Sequence, residues 1–349
     1  MVRSHWPALR PVLWRALAEG TMPPEVALPA IRDAFPGGEA LLAVLDHPDA
    51  AVRRAALLAA LSSGHPAVLA RLPALADDED EQVAAAALAT QERLRSSPPP
   101  LRFELLGRFR VRRAGWELDE ASWKRPIAAR VVRFLLIQES DAVPEDELFE
   151  AFWAGKPTDT ARQNLAAAIS RARKVLDLPG STDSVIELQE RTYSLRLRER
   201  DSVDAVQFEV AAAAALAERD ASRRAALERA AALWIGEPLP EDRYAEWSFA
   251  WRERLVETYT QVLDALVESY GSSGEHDDAI RAARRLLDVD PSNERGHRQL
   301  MVAYARTGRT SHALRQYLEC RRALVTELGV EPSAQTSQLQ GRILAGEPV

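Results

Sequence analysis

The chain has 349 residues, of which 46% are hydrophobic and 28% charged, a composition typical of a packed protein with room for two or three domains. Aromatic residues make up 6%, and the abundance of Ala, Leu and Arg favours a mainly helical fold. One cysteine excludes an internal disulfide framework, and no segment has the roughly 20 apolar residues of a membrane span. We therefore expect a cytoplasmic protein that does not act at a membrane.

The formal net charge is −7, but the charge is unevenly distributed along the chain. Residues 1–100 carry 9 basic and 12 acidic side chains, residues 101–200 carry 18 and 16, and residues 201–349 carry 18 and 24. The three segments therefore have net charges of −3, +2 and −6. Only the middle segment is positive, and a DNA-binding protein needs only one basic face. The charge permits nucleic-acid binding without indicating it.

The Ser/Pro run at 96–101 cannot continue a helix and predicts a linker, which ends a first domain at residue 97. Inside this domain, 46-DHPDAAVRRAALLAA-60 aligns with 77-DDEDEQVAAAALATQ-91, so that Asp46 matches Asp77. The pattern resembles HEAT-like repeats, which stack into an α-solenoid, and an unrelated helical bundle is the alternative. Because no terminal cap is recognisable near Met1, we expect the chain to be part of a longer protein or to begin where a partner packs.

The middle segment, residues 98–200, shows strand patterns at both ends and helical patterns between them. Apolar and polar residues alternate over 101–118 and over 185–197, which predicts short strands first and a terminal hairpin last. Pro126 and Pro144 each begin a helical pattern, and a third helix, capped by Thr158 or Asp159, is predicted over 160–177. Strands, three helices and a final hairpin in this order are typical of a winged helix-turn-helix domain of the α+β class.

The third predicted helix has two different faces when its residues are placed at about 100° intervals. Leu165, Ile169, Ala172 and Leu176 fall in a narrow arc, which we assign to the core. The candidate DNA contacts lie on the opposite face and its flanks, and are Thr160, Gln163, Asn164, Ala167, Ser170, Arg171, Arg173 and Lys174. Gln and Asn can pair with adenine and Arg with guanine, whereas basic residues near the helix end suit phosphate. At the tip of the predicted hairpin, Arg191 and Thr192 could meet the DNA backbone or minor groove.

Residues 201–349 are helical throughout and contain a repeat with a period of 34. The pairs at this offset are Leu266 and Leu300, Tyr270 and Tyr304, Gly274 and Gly308, Ala279 and Ala313, and Ile280 and Leu314. Such spacing of aromatic, turn glycine and helix-crossing alanine is typical of tetratricopeptide repeats. The predicted fold is therefore mainly α, with a HEAT-like α-solenoid at 1–97, a winged helix-turn-helix at 98–200 and a tetratricopeptide-like α-helical domain at 201–349.

Four segments carry a resemblance to a known family. They are 163-QNLAAAISRARKVL-176, 233-LWIGEPLP-240, 298-RQLMVAYARTGRTSHALRQYLECRRAL-324 and 326-TELGVEPSAQTSQL-339. From Leu101 to about Leu344 the chain resembles the bacterial transcriptional activator domain proteins, also called the Streptomyces antibiotic regulatory protein family. The first segment is similar to the recognition helix of their OmpR-type winged helix, and the others to their helical activator domain. The resemblance implies a sequence-specific DNA-binding transcriptional activator.

The resemblance also implies roles for residues by position. It makes the loop residues Gly155, Lys156, Pro157 and Thr158 a contact for RNA polymerase, and it makes Arg191 and Thr192 wing contacts. The family's wing usually has Gly before the aromatic residue, whereas this chain has Thr192 before Tyr193. The partners we expect are double-stranded DNA with promoter repeats, RNA polymerase, a second copy in a homodimer, and an upstream sensor domain or protein partner. The expected location is the nucleoid.

Motifs for other chemistry are incomplete. A phosphate loop would need Gly at position 150 and Ser or Thr at 157, where the chain has Glu and Pro. The six histidines lack ligand spacing, the acidic run 77–81 lacks the glycine of a calcium loop, and Cys320 falls in the helical core pattern. We expect no metal, no cofactor and no enzymatic activity. The alternative function is a helical-repeat interaction scaffold whose winged helix does not bind DNA specifically.

Overall fold

The computed structural model describes residues 45–349, except positions 64, 119–122, 124, 141, 180 and 182, together with Thr21 and Leu42. The expectation about a terminal cap near Met1 therefore lies outside the described residues. The chain divides into two compact units. Unit 1 holds the residues up to Leu105, 109–203 and 244–248, and unit 2 holds 106–108, 204–243 and 249–349.

Three described helices precede the Ser/Pro linker. They are α1 (Ala50–Ser63), α2 (Pro66–Leu75) and α3 (Glu81–Ser96). Helix α3 begins after Asp80, whose side chain accepts hydrogen bonds from the amides of Gln82 and Val83 and so satisfies two free donors of the first turn. The acidic run at 77–81 thus serves in part to start a helix.

The repeat inferred from sequence holds on one side of its helices and fails on the other. Val52 and Val83, which the alignment pairs, are both buried. Leu57 is fully buried, but its partner Leu88 is 55% exposed. The two copies therefore share a packing face without being equivalent all round.

The middle part has the predicted winged helix-turn-helix order. Its elements are β1 (Leu101–Glu104), β2 (Arg110–Arg113), β3 (Trp116–Glu117), α4 (Pro126–Ile137), β4 (Val143–Pro144), α5 (Glu145–Trp153), α6 (Thr158–Leu176), β5 (Ile186–Gln189), β6 (Thr192–Leu195) and β7 (Ser202–Val203). One sheet has the strand order β3-β2-β1-β7, and a second has the order β4-β6-β5. In the second sheet, the terminal hairpin β5–β6 pairs with β4, the strand that leads into α5. We call this hairpin the wing (186–195).

Helix α6 begins two positions before the predicted start at 160 and ends at Leu176. Its N-cap is Pro157, and no described side chain caps it, so the expected capping role of Thr158 or Asp159 is wrong. Proline fixes its own φ and favours extended geometry in the residue before it, which suits a helix start. Asp159 lies instead in the first turn, where a negative charge complements the helix dipole.

The elements after β7 are helices, and they belong to unit 2 apart from residues 246–248. They are α7 (Asp204–Ala217), α8 (Arg223–Leu233), α9 (Glu246–Ser272), α10 (His276–Val289), α11 (Glu294–Arg306), α12 (Thr310–Leu328) and α13 (Ala334–Ala345). Gly274 and Gly308 follow α9 and α11 with φ of 76° and 73°, a left-handed conformation that favours glycine. Ala279 and Ala313 are both buried at the start of the next helix. The repeat seen in the sequence therefore corresponds to two similar helical hairpins, and the mainly α fold class is confirmed.

Candidate nucleic-acid interface

The buried face of helix α6 follows the predicted periodicity. Leu165 and Ala172 are fully buried, and Ile169 and Leu176 are at most 3% exposed, as predicted. The structure adds Ala161, Ala168 and Val175 to this face. Small residues at 161 and 168 allow α6 to approach its neighbours closely, since alanine occupies little volume. The remaining positions of α6 are exposed or half-buried.

The candidate contact residues lie away from this packed face. Thr160, Gln163, Asn164, Ser170 and Lys174 are exposed, and Ala167, Arg171 and Arg173 are half-buried. In the part of the chain that the structure describes, no carboxylate pairs with Arg171 or Lys174. Two cationic side chains and several amide or hydroxyl groups therefore share one accessible helix face, which is the chemistry of base and phosphate contacts.

Arg173 already has protein partners. Its Nε and one terminal nitrogen donate to the carbonyl oxygen of Ile186, at 3.0 and 2.8 Å. Ile186 is the first residue of the wing, so Arg173 connects α6 to the base of the hairpin. The side chain thus supports the wing, in addition to the phosphate contact predicted for it.

The carboxyl end of α6 is anchored from the first sheet by Arg113, which sequence reasoning missed. Arg113 is only 3% exposed, and its guanidinium donates a hydrogen bond to the carbonyl oxygen of Leu176. A cation at this end complements the helix dipole and satisfies one of the last free carbonyls. Burial lowers the pKa of Arg113 to about 10. A signal existed, because Arg113 is two positions after buried Val111 and so shares its face of the strand.

The wing turns without glycine. Gln189 pairs with Thr192, which leaves Glu190 and Arg191 as a two-residue turn with φ of 48° and 68°. Positive φ at both positions is the type I′ geometry that normally favours Asn-Gly. The family's wing usually has glycine at the position of Thr192. In this wing the residues with left-handed backbone are Glu190 and Arg191, directly before Thr192. Arg191 is exposed at the tip, and Thr192 is half-buried.

A groove of about 560 Å³ separates α6 from the wing. Ser170 and Lys174 line it from the helix, and Leu188 and Tyr193 line it from the hairpin. Tyr193 is buried, and burial raises the pKa of its hydroxyl. Leu188 is 52% exposed. The two candidate DNA-contacting elements thus lie side by side with an accessible space between them.

The loop before α6 is open to solvent. Gly155, Lys156, Pro157 and Thr158 are all exposed, and the amide of Lys156 donates to the carbonyl oxygen of Trp153 at 3.0 Å. Gly155 has φ of 76°, and a Cβ added there would meet no atom within 4 Å. Backbone conformation, not lack of space, is therefore what favours glycine at this position. The loop is accessible to a protein partner.

Glu145, at the start of α5, is the second residue that sequence reasoning missed. Its side chain is buried and accepts two hydrogen bonds from Arg162 of α6, at 2.7 and 3.3 Å. The hydrogen bonds from Arg162 hold the pKa of Glu145 below its usual range, against the opposing effect of burial. The sequence could not pair Glu145 with Arg162, since Arg162 lies on the next helix and no local pattern joins the two.

Other sites are not supported by the described residues. Within them, no group of three or more His, Cys, Asp or Glu side chains is arranged to hold a metal ion. Cys320 is fully buried, and burial raises the pKa of its thiol to about 11, so the nucleophilic thiolate is scarce at neutral pH. None of the helices described is long and apolar enough to cross a membrane.

Comparison with known proteins identifies the family of this chain. Residues 203–344 match the family model described as bacterial transcriptional activator domain. The chain is 31% identical to the regulatory protein DnrI of Streptomyces peucetius, over 64% of this chain and 86% of the relative. The chain belongs to the bacterial transcriptional activator family of the Streptomyces antibiotic regulatory protein type. The resemblance inferred from the sequence is therefore confirmed.

Two further similar proteins define the extent of the match. The chain is 34% identical to the regulatory protein AfsR of Streptomyces coelicolor over 71% of its own residues, and it spans about a quarter (24%) of that relative's length. Mycobacterium tuberculosis EmbR, solved in complex with a low-affinity phosphopeptide, is structurally similar with a TM-score of 0.58 and 26% identity. That similarity covers 72% of this chain and 66% of the EmbR chain.

Proposed function

We propose that this protein is a sequence-specific DNA-binding transcriptional activator without catalytic activity, acting at the nucleoid in the cytoplasm. The observation that carries the proposal is the accessible face of α6, where Arg171 and Lys174 have no acidic partner among the described residues. Helix α6 would enter the major groove, and the wing would lie along the adjacent backbone or minor groove. Membership of an activator family supports the same function.

The test is selection of DNA from a random library by the purified chain, followed by binding measurements on the enriched sequence. We expect an enriched motif, and an affinity that falls with salt by a log–log slope of about 0.9 for each phosphate contact. Arg322→Ala is a matched control, because Arg322 is exposed and belongs to unit 2, outside the winged helix-turn-helix sequence. It removes one positive charge and should leave the selected motif unchanged.

The scaffold hypothesis gives the opposite result. A winged helix that serves only to bind proteins would enrich no motif, even at low salt where phosphate contacts are strongest. Such an outcome would reject sequence-specific recognition and leave protein interaction as the function.

Activation requires a contact with the transcription machinery, for which the loop 155–158 is the proposed site. Its exposure supports the proposal, as does its position directly before α6. Lys156→Glu should reduce transcription from a promoter that contains the selected motif, while DNA affinity stays the same. A parallel loss of DNA binding would instead assign Lys156 to the DNA interface.

The proposed partners and domains extend beyond this loop. We expect a homodimer on repeated half-sites, which sedimentation on DNA with one and two copies of the motif would test.

Three functional parts, at 1–97, 98–200 and 201–349, remain the proposed organisation. Inside unit 1, Leu178 packs against the core of α1–α3, and the His65 and Trp116 rings are 4.6 Å apart. Such contacts would let a protein or sensor domain bound to α1–α3 influence the winged helix.

A further inference from the structure

Glu145 lies where α5, α6 and the wing meet. Its backbone amide donates to the carbonyl oxygen of Arg191 at 2.9 Å, and strand β4, directly before it, pairs with β6 of the wing. Its carboxylate oxygen Oε1 is 2.7 Å from Arg162 on α6 and 3.6 Å from Nε of Arg191 at the wing tip. One residue therefore contacts both candidate DNA-binding elements.

The two ion pairs of Glu145 differ in strength. Arg162 forms a two-nitrogen contact with a carboxylate that is itself buried, a geometry in which charged hydrogen bonds are strong. Arg191 has a 75% exposed side chain and a longer contact, so solvent weakens its attraction. Arg162 alone satisfies the buried carboxylate. Arg191 can consequently turn toward a phosphate without leaving Glu145 unpaired, a situation that would otherwise be costly.

We propose that Glu145 is a positioning residue: it sets the angle between α6 and the wing, and it orients Arg191 without immobilising it. The inference rests on the proposed DNA-binding function. Glu145 itself touches no DNA in this arrangement. Its effect on recognition passes through the wing, which would read or contact the sequence beside the bases that α6 reads.

The first experiment uses the full chain without DNA. Glu145→Gln keeps the size of the side chain and the backbone bond to Arg191 but removes the negative charge. We expect amide hydrogen exchange in the wing to become on the order of tenfold faster, as for loss of a charge-assisted hydrogen bond. Glu147→Gln is the matched control, because Glu147 lies in the same helical turn, is exposed, and has no bond to Arg162 or Arg191 among the described contacts. Wing exchange equal to that of the control overturns the proposal.

The second experiment selects DNA with the same variants. With Glu145→Gln, sequence preference should be lost at the positions flanking the motif and retained at the positions that α6 reads. A purely structural role would not produce this split, because partial unfolding weakens all positions together. Faster wing exchange with an unchanged selection profile would also overturn the proposal, since the angle would then not matter for recognition.

Arg191→Gln provides a second variant that does not disturb the buried carboxylate. It should lower flanking preference as Glu145→Gln does, and the double variant should lose little more than either single variant. Additive losses would show independent roles and reject the coupling. If the unmodified chain selects no DNA sequence, the proposed function fails, and the exchange experiment still decides whether Glu145 joins α6 to the wing.

Discussion

Helix α6 and the wing lie in the same compact unit, yet they reach their shapes in different ways. The helix has an apolar residue at each position that faces the core, and its exposed face follows from the same periodicity. The wing has a turn whose two residues, Glu190 and Arg191, both adopt positive φ with no glycine to favour it. The wing is held by contacts from elsewhere, at its base by Arg173 and at its tip by Glu145.

This difference has a consequence for mutation. Substitutions on the buried face of α6 should act on folding, whereas substitutions on its exposed face should act on DNA recognition alone. In the wing the two effects are mixed, because Arg191 is both a turn residue and a candidate contact. Substitutions in each element, together with a pH series, separate the two effects, and the largest change is expected in the core of α6.

Leu165→Ala should reduce the free energy of unfolding by about 2–5 kcal/mol, since it leaves a cavity at a fully buried position. Chemical denaturation followed by circular dichroism measures the change. Gln163→Ala, on the exposed face of the same helix, is the control and should leave stability nearly unchanged while DNA affinity falls. Equal stability losses for the two would mean that α6 lacks distinct faces.

Arg171→Ala should cost roughly 1–3 kcal/mol of binding free energy at the base it reads and should relax the preference at that position. Arg191→Ala, on the wing, should leave the bases read by α6 unchanged. Binding titrations on single-base variants of the selected motif measure both. An Arg171→Ala protein with an unaltered profile would show that we have assigned the wrong reading face.

Glu190→Asn should stabilise the wing by about 1 kcal/mol, because Asn tolerates a left-handed conformation better than Glu does. Glu190→Val should have the opposite sign, since branching at Cβ disfavours positive φ. Hydrogen exchange of residues 186–195 measures both. If both substitutions change the exchange rate in the same direction, the backbone conformation at position 190 does not determine the stability of the turn.

Lys174→Gln should lower the salt dependence of DNA binding by about 0.9 in log–log slope and leave the sequence preference unaltered. Measurement of affinity at several salt concentrations provides the slope. A change in base preference would move Lys174 from a phosphate contact to a base contact.

Acid should loosen the wing only at low pH. The folded-state pKa of Glu145 is depressed, so its stabilisation is present above the unfolded-state pKa and is lost as pH falls through the folded-state value. The exchange difference between the unmodified chain and Glu145→Gln should therefore stay constant from neutral pH to mildly acidic pH. If this exchange difference disappears at a pH above the usual carboxyl pKa range, Arg162 does not stabilise the charged form of Glu145.

Much of the fold and of the candidate site could be predicted from local patterns in the sequence. The core residues Leu165, Ile169, Ala172 and Leu176 were predicted from helical periodicity, and the turn glycines at 274 and 308 from the tetratricopeptide-like repeat. Glu145 and Arg162 could not be paired from sequence, because charged residues on neighbouring helices have no fixed spacing. The repeat alignment pairs Leu88 with buried Leu57, yet Leu88 is exposed, because a repeat alignment does not report which neighbours a helix has.

The sequence by itself determined the order of elements, the buried face of α6 and the family, because hydrophobic periodicity, proline and glycine act locally and the family motifs are continuous. Only the tertiary structure decided that buried Arg113 holds the end of α6, that Arg173 contacts the wing, and that Glu145 joins the two candidate DNA-contacting elements. Each of these contacts joins residues at least 13 positions apart. Such contacts depend on how helices and strands pack, which a linear pattern does not encode.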